Sequence, residues 1–273
     1  MIHSVKPLKK YGQNFLTNRN YAEKIVAALS ICPEDVVLEI GAGTGAITAV
    51  LQHYPYRKIV CLEIDERCIR VLQEKFADRA EIIHDSILNF PLAEFAATVK
   101  SKIKVVGNIP YHLTSAILFK LLDDRKYIAQ LVIMIQQEVA DRLLALPHSR
   151  EYGIPSVLFG TYTQMVRLFK VGRQNFFPVP NVDSTVLQFT FEEQSGDIPD
   201  HDLYRQVVRQ CFQMKRKIIR NNLRRFLKEE WLEQITSVPL HVRPEDLSVE
   251  QYVKLTNEIY RLTAARGKKK LEN

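Results

Sequence analysis

A buried strand that runs straight into a glycine-rich turn limits the fold of this chain more than any other stretch. The strand is predicted at residues 36–40 (VVLEI), the turn at 41–45 (GAGTG) and a helix at 46–51. A strand, a glycine turn and a helix in this order are typical of the first unit of a nucleotide-binding α/β sheet. The glycines let the backbone approach a ligand closely, and the helix N-terminus favours negative charge.

The glycine spacing and the acid that follows it favour one class of cofactor. The turn reads G-x-G-x-G, beginning with Gly41 and Gly43, and not the G-x-G-x-x-G of dinucleotide sites. This shifts the prediction towards S-adenosylmethionine (SAM), which has no pyrophosphate to cradle. Glu63, at the end of a strand predicted at 58–62, can accept both ribose hydroxyls of an adenosine, although an ordinary surface acid would look the same. Glu39 could reach the methionine amino group or organise the glycine turn.

Polar residues also follow two further predicted strands. Asp85 comes after residues 80–84, where it can accept a hydrogen bond from the cofactor's adenine amine or cap a turn. Asn108 comes after residues 103–107. Ligands bind outside the carboxyl ends of the strands in such sheets. We therefore expect the residues at the four strand ends to share one cleft: Gly41, Glu63, Asp85 and Asn108.

The stretch after the fourth strand suits a planar group that carries an exocyclic amine, such as adenine. Asn108 can both donate and accept hydrogen bonds, Pro110 stiffens the turn and lacks a backbone donor, and Tyr111 offers a flat face for stacking. The Asn108 side-chain oxygen and the Pro110 carbonyl could accept the two hydrogens of adenine N6. By itself this stretch leaves RNA, DNA and protein amides open as substrates.

A proline-rich loop supplies a second candidate for stacking on a base. Residues 175–183 read NFFPVPNVD between strands predicted at 163–171 and 184–191, and the two prolines make the loop stiff and extended. Two adjacent aromatic side chains in a loop are costly to expose. We expect Phe177 to lie in the core and Phe176 to stack on a base.

Composition favours a polyanionic partner and argues against export or membrane insertion. The 273 residues carry a net charge of +7 and have a pI of about 9.1, which suits nucleic acid. No run of 18 apolar residues occurs, and no apolar segment follows the basic N-terminus. The four cysteines form neither a C-x-x-C pair nor a zinc-spaced cluster with histidine. These features predict a cytoplasmic protein with reduced thiols, no metal and no membrane contact.

The two ends of the chain carry basic segments. Residues 5–19 interleave basic and aromatic side chains and form either a solvated tail or a segment that lies across a ligand cleft and touches a phosphate backbone. Asn18 or Asn20 is expected to cap the helix that follows. Residues 205–228 are expected to be helical and carry nine basic residues and no acidic one, which suits phosphate contacts or a solvated basic face.

The predicted domains are a SAM-binding catalytic domain, a linker and a helical RNA-binding domain. The catalytic domain covers residues 1–192 and holds a fifth strand at 131–135. The linker covers the polar residues 193–199 and the helical domain residues 200–273. The basic tail from Arg266 to Lys270 is expected to be disordered.

Taken together, the motifs resemble those of the small-subunit ribosomal RNA adenine N6,N6-dimethyltransferases, the KsgA-type family. The Asn-x-Pro-Tyr motif is shared with other amine and amide methylases. Two other motifs are much more specific, namely Gly-Gln-Asn-Phe-Leu at 12–16 and Phe-x-Pro-x-Pro-x-Val-Asp-Ser at 176–184. Further matches lie at residues 37–45, 136–140, 216–217, 220–223 and 243–248. The resemblance therefore runs nearly from end to end.

The resemblance implies an α/β fold: a seven-stranded, Rossmann-like SAM-dependent methyltransferase sheet with one antiparallel strand, plus a small all-α C-terminal domain. It implies a target adenine held by Asn108, Pro110, Tyr111 and Phe176. The implied cofactor contacts come from Asn14, Leu16, Gly41, Gly43, Glu63, Asp85 and Asn108. The implied substrate is a pair of adjacent adenines in the 3′-terminal hairpin loop of small-subunit rRNA. The implied partner is an immature 30S-type subunit during ribosome biogenesis, and the enzyme is expected to act as a monomer.

The sequence departs from the family pattern at five positions outside the inferred reaction centre. The usual Asp, Pro, Gly, Lys and Lys are replaced by Asn18, Ala42, His84, Gln137 and Asn181. The last two replacements remove positive charges, so they bear on RNA docking more than on methyl transfer.

Four other functions share some of these features. The related large-subunit rRNA methylase that gives macrolide resistance shares the catalytic motifs but lacks the Arg-Pro-Glu-x-Leu-Ser segment at 243–248. A non-catalytic RNA-binding or assembly factor, or a mitochondrial-type transcription factor on the same fold, would not need the intact catalytic motifs. A protein glutamine methylase leaves the basic segment 205–228 without a purpose. A nicotinamide oxidoreductase leaves residues 108–111 unexplained.

Overall fold

The structure of the chain, a computed structural model, describes residues 5–191 and 198–264 and is built around a seven-stranded sheet. The strands lie in the order β4-β3-β2-β5-β6-β9-β7. Neighbouring strands from β4 to β6 run parallel, and β9 runs antiparallel to β6. The bounds are β2 Val36–Ile40, β3 Lys58–Glu63, β4 Glu81–His84, β5 Ile103–Asn108, β6 Ile128–Gln136, β7 Thr163–Val171 and β9 Ser184–Phe191. The expected seven-stranded sheet is confirmed.

The central strands are apolar because both of their faces are covered. Every residue of β2 is buried, and the middle of β6 is buried without interruption. Parallel strands covered on both faces read as continuous hydrophobic runs, which is why the sequence predicts them well. The strand β4 lies at the edge of the sheet, and its two middle residues are half-buried whereas its two end residues are exposed.

A separate two-stranded ribbon joins the N-terminal segment to the proline-rich loop. It consists of β1, Phe15–Leu16, and β8, Phe176–Phe177, which run antiparallel. Phe15 lies opposite Phe177, and Leu16 lies opposite Phe176. Residues 160 or more positions apart in the sequence thus become neighbours.

Helices connect the strands, and a polar side chain caps the N-terminus of α1 and of α3. Asn18 caps α1 by accepting from the backbone N–H of Asn20, and Asp65 caps α3 in the same way through Arg67. Of the two residues expected to cap α1, Asn18 is therefore the one that does. The bounds are α1 Arg19–Ala27, α2 Thr48–Leu51, α3 Glu66–Phe76, α4 Leu92–Val99, α5 Thr114–Asp123 and α6 Gln137–Leu143.

By internal packing the chain forms two compact units. Unit 1 comprises residues 1–140 and 164–191, and unit 2 comprises residues 141–163 and 192–273. The helices of unit 2 include α7 Ile154–Tyr162, α8 His201–Phe212, α9 Ile219–Leu223, α10 Glu229–Leu232 and α11 Val249–Ala264. The predicted functional domains stay a prediction, and unit 2 takes in a segment that precedes the predicted boundary. Residues 193–197 of the predicted linker and the basic tail lie outside the described residues.

The prediction of continuous helix over residues 205–228 is wrong. The helix α8 ends at Phe212, and α9 begins only at Ile219. The buried amide of Asn222 accounts for the break, because its Oδ1 accepts from the Met214 N–H at 3.0 Å and its Nδ2 donates to the Met214 carbonyl at 3.3 Å. These two bonds satisfy backbone groups that a continuing helix would otherwise pair.

In the described ranges, no helix combines the length and the apolar character that crossing a bilayer requires. The four cysteines are free; Cys32 is exposed, and the other three are buried. Burial raises the pKa of the Cys68 thiol to about 12, so this thiol stays protonated and unreactive at neutral pH.

Glu39 is buried in the middle of β2 and holds the helix that follows the glycine turn. The Thr48 hydroxyl, at the start of α2, donates to Glu39 Oε2 at 2.6 Å. Burial raises the pKa of Glu39 to about 8, and the nearby carboxylate of Glu63 adds to the rise, while the bond from Thr48 opposes it. These contacts favour the expectation that Glu39 organises the turn.

The Glu39→Gln substitution, which keeps the side-chain volume, is expected to remove a pH dependence of stability. Between the ordinary pKa of 4.5 and the native value of about 8, the folded protein keeps a proton that the unfolded chain releases. Stability therefore falls as the pH rises through this window, by on the order of a few kcal/mol for Glu39. Urea unfolding of both proteins between pH 5 and pH 8 measures the difference. Equal losses in wild type and variant would contradict this assignment.

Candidate active site

A cleft at the carboxyl ends of the central strands gathers most of the predicted site residues. It has an empty volume of about 710 Å³, which includes space open to solvent. The predicted residues that line it are Asn14, Gly41, Gly43, Glu63, Asp85, Asn108, Pro110 and Tyr111. The expected convergence of four strand ends is thus observed.

The N-terminal segment contributes one wall of this cleft. Residues 5–16, called the N-terminal strap from here on, place Tyr11, Gly12, Gln13, Asn14 and Phe15 along the cleft. Residues 11–15 therefore line the cleft and do not form a solvated tail, whereas contact of this segment with a ligand or a phosphate backbone stays a prediction.

Glu63 is held by backbone donors on both of its oxygens. Its Oε1 accepts from the N–H groups of Ile64 at 2.8 Å and Asp65 at 2.9 Å, and its Oε2 accepts from Gly43 at 2.7 Å. Burial raises the pKa of this carboxyl, and the three bonds oppose the rise. In this arrangement Oε2 keeps one acceptor position for a hydroxyl. The role of Glu63 towards both ribose hydroxyls stays a prediction.

The cleft has the chemistry expected for an adenosine ligand that carries no phosphate. Gly41 has a φ of +64°, and a Cβ built there would have as its nearest neighbour the Asn108 carbonyl at 3.8 Å. Any side chain at this position would therefore fill ligand space. Among the residues that line the cleft, the charged ones are Glu63 and Asp85. Two acids and a bare glycine suit a cationic ligand with hydroxyls and an amine, such as SAM.

Asn108 is oriented by the N-terminal strap. Its Nδ2 donates to the backbone carbonyl of Asn14 at 2.7 Å. Because a carbonyl can only accept a hydrogen bond, the amide nitrogen must face the strap and the Oδ1 must face away. Asn108 therefore presents an acceptor. The next residue, Ile109, is buried, as expected of a packing residue.

The Pro110 carbonyl already accepts two hydrogen bonds. Leu113 N–H donates to it at 3.0 Å, and the Thr114 hydroxyl donates at 3.3 Å. A carbonyl oxygen has two lone pairs, so accepting from a target amine requires the Thr114 hydroxyl to rotate away. The predicted role of Pro110 stays a prediction.

Tyr111 is fixed by a residue that the sequence analysis did not single out. Its hydroxyl lies 2.8 Å from Oγ of Ser184, the fully buried first residue of β9. Burial raises the pKa of Tyr111, so the hydroxyl stays protonated at neutral pH. Ser184 closes the Phe-x-Pro-x-Pro-x-Val-Asp-Ser motif, and that motif was the available signal.

Two predicted residues lie outside the lining of this cleft, and one expectation about burial is wrong. Leu16 and Phe176 face each other across the ribbon and are buried in the core. Their predicted contacts with cofactor and base stay predictions. Phe177 is 40% exposed and Phe176 only 2%, which reverses the expected burial of Phe177. Side chains alternate along a strand, so pairing Phe176 with the buried Leu16 sends Phe177 to the other face, beside Phe15.

The chain is similar to several known proteins in sequence and fold. The chain matches the family model for Ribosomal RNA adenine dimethylase over residues 5–261. Ribosomal RNA small subunit methyltransferase A of Chlorobium phaeobacteroides is 39% identical over 252 residues, which covers 92% of this chain and 93% of the relative. The protein of the same name from Syntrophus aciditrophicus is 35% identical over 268 residues, covering 94% and 95%.

Two solved structures resemble the chain over nearly their full lengths. A dimethyladenosine transferase from Plasmodium falciparum is 25% identical with a TM-score of 0.74, covering 90% of this chain and 98% of that structure. The 23S rRNA methyltransferase ErmE is 25% identical with a TM-score of 0.68, and the match covers 90% of this chain and 99% of that structure.

The Tyr111–Ser184 hydrogen bond is expected to contribute about 1 kcal/mol to folding. A double-mutant cycle of Tyr111→Phe and Ser184→Ala isolates it, because each single change removes the bond and little else. Urea unfolding of the four proteins should give a coupling of about that size. Strictly additive losses would mean that the two hydroxyls do not hold the ring in place.

Proposed function

The chain belongs to the ribosomal RNA adenine dimethylase family, and we propose that it transfers methyl groups from SAM to N6 of two adjacent adenines in the 3′-terminal hairpin loop of small-subunit rRNA. The observation that carries this proposal is the orientation of Asn108, whose Oδ1 is left as an acceptor at the head of the cleft. Beside it stands Tyr111, which is held by Ser184.

The small subunit is proposed on the basis of the relatives. Curated relatives named for the small subunit are 33–39% identical, whereas the 23S rRNA methyltransferase is 25% identical. We place the reaction in the cytoplasm on an immature subunit during ribosome biogenesis, with the enzyme acting as a monomer. The cytoplasmic location follows from the composition and the cysteine pattern, and the immature subunit and the monomer follow from the resemblance of the motifs.

The residues of the cleft fit SAM, and no metal enters the proposal. When bound, SAM supplies a methyl group on a positively charged sulfonium. The acceptor position on Glu63 Oε2 suits a ribose hydroxyl, the Asp85 carboxylate suits the adenine amine, and Gly41 keeps the floor open. Asn14 borders the same space from the strap. The two carboxylates also favour a cationic ligand electrostatically.

The target amine is activated by hydrogen-bond acceptors rather than by a base. Adenine N6 is a poor nucleophile because its lone pair is delocalised into the ring. Asn108 Oδ1 accepts one N6 hydrogen, and the Pro110 carbonyl accepts the other once the Thr114 hydroxyl turns away. Acceptors placed for a pyramidal nitrogen free the lone pair and stabilise positive charge as it forms. No general base is needed before transfer, since the proton is lost from an already cationic nitrogen.

Stacking holds the target base in line for the reaction. Tyr111, and Phe176 if its ring leaves the core, would stack on the base, and such stacking contributes about 1–3 kcal/mol per base. Alignment matters most, because the methyl donor is already a strong electrophile. After the first transfer one acceptor contact is lost, so the second transfer relies more on stacking and alignment.

Contacts to the RNA backbone are proposed for a subset of the nine basic residues at 205–228. Lys215 donates to the Tyr152 carbonyl at 2.7 Å, and Arg220 and Arg224 bind Glu229. These three side chains support unit 2 itself. The exposed basic side chains that remain as candidates for phosphate contacts include Arg209, Arg216, Lys217 and Arg225.

The Asn108→Ala substitution is expected to abolish methylation while sparing RNA binding. It removes the acceptor for N6, whereas phosphate contacts elsewhere are unchanged. Transfer of labelled methyl groups to small subunits that lack the modification measures the first effect, and a gel-shift titration measures the second. Asn20→Ala, at an exposed position in α1, is the matched control and should behave like wild type. Retained turnover by Asn108→Ala would sink the assignment.

Removing both Arg216 and Lys217 is expected to weaken RNA binding and its dependence on salt. Each lost phosphate contact reduces the magnitude of the slope of log K against log salt by about 0.7–0.9. The slope of the double alanine variant should therefore be smaller than that of wild type by up to about 2. Binding of a hairpin RNA at several salt concentrations gives the slope. Lys254→Ala, exposed on α11, serves as the control. If the Arg216/Lys217 variant keeps the wild-type slope, these side chains do not contact phosphate.

A further inference from the structure

We propose that Gln13 and Asp65 are positioning residues, which latch the N-terminal strap across the cleft so that its Asn14 carbonyl orients Asn108. The catalytic part of this inference rests on the proposed function, in which Asn108 is the acceptor for the target amine. The latch is defined as Gln13, Asp65 and Arg67. It joins the strap to the segment between β3 and α3.

Gln13 uses both ends of its amide to make the latch. Its Nε2 donates to Asp65 Oδ2 at 2.8 Å, and its Oε1 accepts from the backbone N–H of Leu8 at 2.8 Å. The first bond ties the strap to the segment between β3 and α3, 52 positions further along the sequence. The second bond folds the strap back on itself, so the side chain also sets the path of the strap before residue 13.

Arg67 holds Asp65 in the orientation that receives Gln13. Arg67 Nε donates to Asp65 Oδ1 at 2.9 Å and its Nη2 to Oδ2 at 2.5 Å, while its Nη1 donates to the Lys6 carbonyl at 2.9 Å. The Asp65 side chain is only 3% exposed. The guanidinium lowers the pKa of this carboxyl to about 2, so the acceptor is charged throughout the neutral range. A charged, two-pronged pair is among the stronger hydrogen-bonded arrangements.

The strap also rests on apolar and close backbone contacts. Val5 and Phe15 pack with the buried Cys68 of α3. At Gly12, which has a φ of +61°, a Cβ would lie 2.6 Å from His112 Nδ1. The strap thus lies directly on the short helical turn that begins with Tyr111. The strap therefore contacts Asp65, which lies close to the proposed cofactor residue Glu63, and His112, which follows the proposed base-stacking residue Tyr111.

The latch therefore connects the proposed cofactor residue Glu63 with the proposed acceptor Asn108. Asp65 donates its own N–H to Glu63 at 2.9 Å while its side chain receives Gln13. The neighbouring Asn14 carbonyl receives Asn108 Nδ2 at 2.7 Å. Releasing the latch would free the Asn108 amide to rotate, because the terminal torsion of asparagine is broad. It would also remove a wall from the cofactor side of the cleft.

The Gln13→Leu substitution tests the inference, since it keeps the bulk of the side chain and removes both polar ends. We expect S-adenosylhomocysteine to bind about tenfold more weakly by calorimetry, as befits one lost bond to a charged group. We also expect kcat at saturating SAM to fall about tenfold while KM for the RNA stays unchanged. Hydrogen exchange at Leu8 and Gly12 should accelerate. The matched control, Gln52→Leu, removes an amide that donates to the Ala49 carbonyl in α2 and should leave all three readouts at wild-type values.

A second variant keeps the inference testable if Gln13→Leu does not fold. Gln13→Glu has the same shape but, when ionised, places a carboxylate against Asp65. Binding of S-adenosylhomocysteine should then be weak at pH 8 and recover as the pH falls towards 5, because the protonated carboxyl can donate to Asp65. No such recovery in wild type or in Gln52→Leu is expected.

The inference is overturned if the Gln13 variants lower only the melting temperature and match Gln52→Leu in affinity and kcat. The same holds if Gln13→Glu shows no recovery at low pH. If wild type fails to methylate small subunits, the proposed function fails instead. The affinity and exchange measurements would still decide whether the latch holds the strap.

Discussion

The register of three parallel strands determines where the chemistry of this chain can lie. Ile40 in β2 pairs with Leu62 of β3 on one side and with Gly107 of β5 on the other. Backbone hydrogen bonds fix this alignment, so Gly41, Glu63 and Asn108 emerge at the same level of the sheet. A slip by one residue in either pair would turn one of these side chains to the opposite face. The shape of the cleft, the position of Gly41 in its lining and the position of Asn108, the proposed acceptor for the target amine, all depend on this register.

The acidic lining of the cleft and the basic residues elsewhere in the chain suit two different ligands, a cationic cofactor and a polyanionic RNA. The chain has a net charge of +7, yet the charged residues that line the cleft are the acids Glu63 and Asp85. A cationic cofactor suits such a lining, whereas a polyanion does not. Nine basic side chains lie instead at residues 205–228 of unit 2, where some of them stabilise the fold through contacts such as that of Lys215 with Tyr152. Counting basic residues in a sequence therefore overstates how many are available to RNA.

Features that depend on neighbouring residues could be predicted from the sequence. Most of those that could not be predicted depend on contacts between residues far apart in the chain. Apolar runs ending in Glu63 and Asn108 revealed the strand ends, because each signal lies within a few residues. The partnership of Tyr111 with Ser184 spans 73 positions, and no local pattern contains it. The burial of Phe176 rather than Phe177 depends on the register of the two-stranded ribbon. The early end of α8 depends on a contact of shorter range, between Met214 and Asn222, which the helical pattern of the sequence does not reveal.

The most direct test of the central claim is to locate the methyl groups that the enzyme adds. Small subunits lacking the modification, large subunits and DNA would each be incubated with the enzyme and SAM bearing a labelled methyl group, and the product mapped by nuclease digestion and mass spectrometry. We predict two methyl groups on N6 of each of two adjacent adenines in the 3′-terminal hairpin loop of small-subunit rRNA. Label confined to large-subunit rRNA or DNA, or no label on any substrate, would contradict it.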